Sequence, residues 1–198
     1  VLVDENNIGN EEPTNSAAET AVIGFFRDPY EFDIVDPNIA ADIKSSQQKM
    51  AELSGNAKAA AAIGAKYGAE VILVGTAVSR EAKNMSQSLG GMVSVQADVT
   101  LKAINCTSNR IIGTASGHGA QVHISPNTAG NKAIEKGAKK AAGELLDGII
   151  KEWQNQLNNG ITIRLTVKGV NTYREKSNVM HTLKSLSNIA AARERGWN

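Results

Sequence analysis

Residues 57–77 read AKAAAAIGAKYGAEVILVGTA, and this stretch decides how the chain is built. An alanine-rich run carries Ile63 and Tyr67 four apart, and Gly68 stands where a helix stops in a left-handed turn. Val71-Ile72-Leu73-Val74 then sets four apolar β-forming residues in a row, the composition of a strand covered on both faces. A helix, a glycine stop and an enclosed strand in direct succession predict helices packed on a sheet. Ala60, Gly64 and Gly68 keep the helix surface thin, so it is expected to lie close to the strand it feeds.

Working outward towards the start, Val1-Leu2-Val3 reads as the end of a strand, and the polar residues 4–16 as a loop. Ser16 with Glu19 three residues on has capping-box spacing. The helix behind it places Ala18, Val22 and Phe25 or Phe26 on one side and stops near Asp28-Pro29. Phe32-Asp33-Ile34-Val35 reads as a short strand, and Pro37 opens a helical stretch through Ile39, Ile43 and Met50.

Working the other way, residues 79–91 read as a long hairpin loop or ragged strand ends. Val95, Ala97, Val99, Leu101 and Ala103 then alternate with polar residues, the period of a strand with one wet face. Residues 110–124 return after a turn, with Gly113, Gly117 and Gly119 on one face, which predicts curvature or close approach of a neighbour. Residues 128–156 carry one apolar stripe from Ile134 through Ala138, Ala141, Leu145 and Ile149 to Trp153, a long helix. Ile161, Ile163, Leu165 and Val167 alternate again, followed by a helix near 173–187 and the approach to another strand at 190–198. The expected architecture is α/β (α+β), a mixed sheet with helices packed on one face over residues 1–157. An incomplete second β-α-(β) unit is expected over 160–198.

Of 198 residues, 41% are hydrophobic and 4% aromatic, so the core is expected to rest on Ala, Val, Ile and Leu. Lys and Arg number 21 against 20 Asp and Glu, a surplus too small to neutralise a nucleic acid backbone. The densest basic stretch, Lys132, Lys136, Lys139 and Lys140, has helical spacing and reads as a solvated face. No run reaches the roughly 20 apolar residues of a membrane span. The chain starts Val1-Leu2-Val3 with no signal-like segment, and the reading expects a processed or trimmed product with any address or anchor upstream.

Catalytic chemistry finds no purchase in this pattern. His118 and His123 lie five apart on one strand, so they face opposite sides, and His181 sits on an exposed helix. Cys106 is alone at a hairpin tip, which excludes an intrachain disulfide and leaves thiolate metal ligation without partners. Ser116-Gly117-His118-Gly119 lies inside a strand, whereas phosphate cradles form at a helix start. Gly64 and Gly68 stand at the helix end that repels anions. The Asn84 and Asn105 glycosylation patterns match the frequency expected by chance. Asp33, Asp36, Glu11 and Glu12 suit turns and caps. No catalytic, cofactor-binding or metal-binding residue is assigned, and the expected protein is not an enzyme and takes no cofactor.

Ala60, Gly64, Gly68 and Ala69, leading into Val71–Val74 and Gly75, resemble a pattern of bacterial envelope proteins. These are the group of flagellar assembly protein T, the curli secretion lipoprotein and the TolB N-terminal domain. Asp33-Ile34-Val35-Asp36, the hairpin over 93–124 and the helix over 128–156 extend the likeness. Ile161–Gly169 with its helix resembles the second domain of flagellar assembly T-like proteins. The resemblance implies an anticodon-binding/TolB-N-like sheet, a periplasmic location and a role in assembling a flagellar ring or secretion machine. It implies other envelope proteins as partners, or further copies in an oligomer or ring, and no nucleic acid. Membrane attachment would run only through an upstream anchor, since no lipobox cysteine is present. A lipoprotein-type regulator of a wall-synthesis enzyme is the alternative, and a small-ligand-binding domain the second.

Overall fold

Four strands form one sheet in the order β1-β2-β3-β4, with β1 at Leu2–Asn6, β2 at Val71–Glu81, β3 at Val93–Asn105 and β4 at Arg110–His123. The structure is a computed structural model that describes residues 1–8, 16–35, 55–82, 91–161, 163, 165–194 and 196. β1 runs parallel to β2, Leu2 beside Val74 and Asn6 beside Val78, while β2, β3 and β4 form an antiparallel meander. Four helices are described: α1 (Ala17–Arg27), α2 (Ala57–Lys66), α3 (Pro126–Asn159) and α4 (Tyr173–Ser185). The protein is an α+β fold with a mixed sheet.

Alternation along the strands sorts the core into two layers. Val3, Leu73, Ala77, Val95, Ala97, Val99, Leu101 and Ala103 face α1 and α3, forming the larger cluster with Val22, Phe26, Ile134 and Leu145. Leu2, Ile72, Val74 and Ile104 point the other way, against Ala60 and Ala61 of α2. The helices therefore do not all lie on one face, as the sequence reading had it. The reason is the continuous apolar run of β2, which needs cover on both sides. Beyond α2, the second face carries the polar residues Thr76, Arg80, Gln96, Asp98, Thr100 and His118, of which only Thr76 is half-buried.

Missing side chains set the distances between layers. A Cβ on Gly117 would land on the Gly137 carbonyl oxygen, and one on Gly119 on that of Ala133. The glycine face of β4 is thus a close approach to α3, without which helix and strand backbones could not sit this near. At α2 a Cβ on Gly64 would meet Cys106 Sγ and stand 3.2 Å from Ile72 Cβ, so the small residues of 57–77 do bring that helix onto its strand. Gly68, at φ +76°, supplies the left-handed stop.

Four stretches depart from expectation. β1 continues to Asn6, because Glu5 and Asn7 bury their side chains against hydrogen-bond partners and do not loop away. Residues 31–35 carry no ladder; Phe32 and Ile34 pack on the core individually. The described residues of 161–170 form no strand, and Ile161, Ile163 and Leu165 are 62%, 75% and 61% exposed, with no ladder to them among the described residues. The described residues of 190–198 carry none either. The helix read over 37–50 lies outside the described residues. The chain divides into two compact units, Val1–Gln154 and Asn155–Asn198. In the second, Thr172 and Glu175 close a capping box on α4, and these contacts hold the Glu175 carboxyl below its usual range.

Candidate functional site

Aromatic residues are rare in this chain, eight in all (Phe 3, Tyr 3, Trp 2), yet six of them, Phe25, Phe26, Tyr30, Phe32, Tyr67 and Trp153, gather in one place. α1 ends in Phe25-Phe26, and the Phe32 N–H donates to the Phe26 carbonyl at 3.2 Å, folding the following segment back. Ring centroids then lie 5.4 Å apart for Phe25–Phe26, 5.3 Å for Phe25–Tyr30 and 5.2 Å for Phe26–Phe32. Trp153, from α3, stacks on Phe32 at 5.3 Å. Phe26, Tyr30, Phe32, Trp153 and, from the end of α2, Tyr67 line a groove of about 770 Å³ at the amino ends of β1 and β2. Its size and apolar walls match those of ligand and peptide sites. Glu19, Glu31, Asp33 and Glu70 also line it, and no Lys, Arg or His side chain does among the described residues.

The outer strands are closed by charged side chains. On β1, the Val3 N–H donates to Glu19 Oε1 at 2.7 Å. On β4, Lys140 Nζ donates to the His118 carbonyl at 3.0 Å and Lys136 Nζ to that of Ala120 at 3.1 Å. Two lysines of the basic stretch thus reach from α3 to the strand edge, a common way of blunting an edge against further pairing. Lys139 instead pairs with Glu135 at 2.6 Å.

A polar knot fixes the carboxyl end of β1. Ser79 Oγ donates to Asn7 Oδ1 at 2.5 Å, the Ile8 N–H donates to Ser79 Oγ at 2.8 Å, and Asn7 Nδ2 donates to Asn131 Oδ1 at 2.6 Å. Glu5 accepts from Ser16 Oγ at 2.7 Å and from the Ala18 N–H at 2.8 Å, a carboxylate set on the positive end of α1. These groups satisfy one another and present nothing to a substrate.

The residues weighed from sequence are scattered. His118 is exposed on the polar sheet face, its Nδ1 3.0 Å from Asp98 Oδ1, and His123 Nδ1 accepts the Ser125 N–H at 3.0 Å. His181 is exposed on α4. Cys106 is buried against α2; burial pushes its thiol up, and a backbone hydrogen bond at Ile72 offsets this only in part. Asn105 Oδ1 accepts the Thr107 and Ser108 N–H groups at 3.0 and 2.8 Å, a turn-forming role. Asp33 lines the groove; Asp36, Glu11, Glu12 and Asn84 lie outside the described residues. Among the described residues no group of three or more His, Cys, Asp or Glu side chains is placed to hold a metal, and no helix is long and apolar enough to cross a membrane. The sequence reading missed the groove, although Phe25, Phe26, Tyr30 and Phe32 crowd one stretch of an aromatic-poor chain.

No protein-family model matches the chain, and no curated protein does. Among solved structures, a candidate lipoprotein from Caulobacter crescentus is similar at 8% identity over 81% of this chain and 93% of that one, with a TM-score of 0.24. A likeness that distant carries no argument about role. The resemblance thus rests on the sequence alone; within 57–77, a Cβ added at Gly64 would meet Ile72 and Cys106.

Proposed function

We propose that the chain is a non-catalytic domain of the bacterial cell envelope that works by binding another protein, as a part of an assembly of the flagellar-ring or secretion type. The observation that carries this reading is the groove, where five of eight aromatic side chains line one apolar surface. Large rings in a concave apolar site anchor partners more effectively than scattered contacts do. The strand edges are poorer candidates, since Glu19, Lys136 and Lys140 already engage their backbone groups. The envelope location rests on the resemblance of residues 57–77.

A photo-crosslinking residue at Val35, on the groove rim, tests the reading in cells. A discrete protein adduct in the envelope fraction is expected from Val35 and not from Gln96 on the open sheet face. Filling the groove by Ile63→Trp should abolish it while leaving the circular dichroism unchanged. Equal adducts at both positions, or none, would overturn the proposal.

A further inference from the structure

From the charge around the groove, we infer that its occupant is an extended protein segment carrying apolar anchors flanked by lysine or arginine. This rests on the groove being the binding surface. The chain is almost neutral, 21 basic side chains against 20 acidic, so an even spread would place both signs around any large opening. Here Glu19, Glu31, Asp33 and Glu70 line the wall, and Lys, Arg and His are absent from it among the described residues. Glu19 is tied to the Val3 N–H, which leaves Glu31, Asp33 and Glu70 as the exposed carboxylates facing an arriving segment. The nearby Lys66 lies 5.3 Å from the centre of the Tyr67 ring and is not part of the lining. Apolar walls beneath a rim whose described charged side chains are all acidic select a ligand with an apolar body and the opposite charge at its flanks. They also disfavour an acidic segment, which would have to sit beside like charge.

Shape favours a segment over a small molecule. The lining of the opening runs from the end of α1 and residues 31–35 across the starts of β1 and β2 to the end of α2, so an occupant that fills it lies across several elements. Exposed charge pairs are weak singly, and three together give a preference of roughly tenfold.

The test uses the full chain with Trp197→Phe, which leaves Trp153 as the only indole. Two heptapeptides with the same apolar anchors, acetyl-KLFKLFK-amide and acetyl-ELFELFE-amide, are titrated while Trp153 emission is followed. The lysine peptide should bind about tenfold more tightly at low salt, with the margin shrinking near about 0.5 M salt. It should shrink likewise in the E31Q/D33N/E70Q variant, whose circular dichroism should match the parent. Equal binding of the two peptides would overturn the charge inference and leave the groove reading standing. Binding by neither, in a folded protein, would overturn both. A preference untouched by the triple variant would place the basic peptide elsewhere and also overturn the inference.

Discussion

Gly64 and Cys106 occupy one space between them. An alanine at 64 would put its methyl group on Cys106 Sγ, so Gly64→Ala should lower stability by about 1–3 kcal/mol. Cys106→Ala removes the obstructing sulfur. A urea-denaturation cycle of the two variants should therefore show a coupling of about 1 kcal/mol or more, whereas additive losses would show that the thiol is not the obstacle. Gly68→Ala should cost about 1 kcal/mol for a different reason, since an added Cβ meets no atom of the described residues within 4 Å and only the left-handed backbone objects. At this scale the sequence was partly legible. The glycine stop and the thin helix surface could be read from the letters. The burial of Glu5 and Asn7 could not, because a polar residue on a strand's inner face looks like a loop until its partners are known.

At the scale of elements, the contact of α3 with β4 depends on backbone meeting backbone. Gly117→Ala and Gly119→Ala each drive a methyl group into a helix carbonyl, which yields far less than a side chain would. Each should lose about 3 kcal/mol or more in thermal melts. Gly24→Ala, on α1 with open space around it, should be neutral or stabilising by up to about 1 kcal/mol. Comparable losses at all three sites would show that helix–strand proximity is not the cause. Lys136→Ala with Lys140→Ala should leave the melting temperature nearly unchanged but raise self-association, seen by light scattering, because two edge carbonyls of β4 lose their donors. An unchanged monomer fraction at high concentration would argue against that role. Period-two alternation found β3 and the return strand correctly, and the apolar stripe found α3. At 161–168 the same alternation is not matched by a strand among the described residues, since alternation describes a strand's faces and says nothing of whether a neighbour exists.

For the whole molecule, no described residue from 160 to 198 is buried, and every described core residue precedes Ile150. Ending the chain after Asn159 should therefore leave the melting temperature within a few degrees of the full chain's. A larger drop would show that the last residues support the first unit. The groove was hidden from a linear reading because Trp153 reaches it from a distant helix, and only the fold sets that ring on Phe32. The same separation in sequence governs β1. Its partner β2 begins only at Val71, while β3 and β4 are joined by the short turn at 106–109. Bringing β1 home encloses a far longer loop than closing the meander does, an added entropy of roughly 2 kcal/mol. The three antiparallel strands should therefore assemble first from near neighbours, and the parallel strand should arrive last to seal one wall of the aromatic groove.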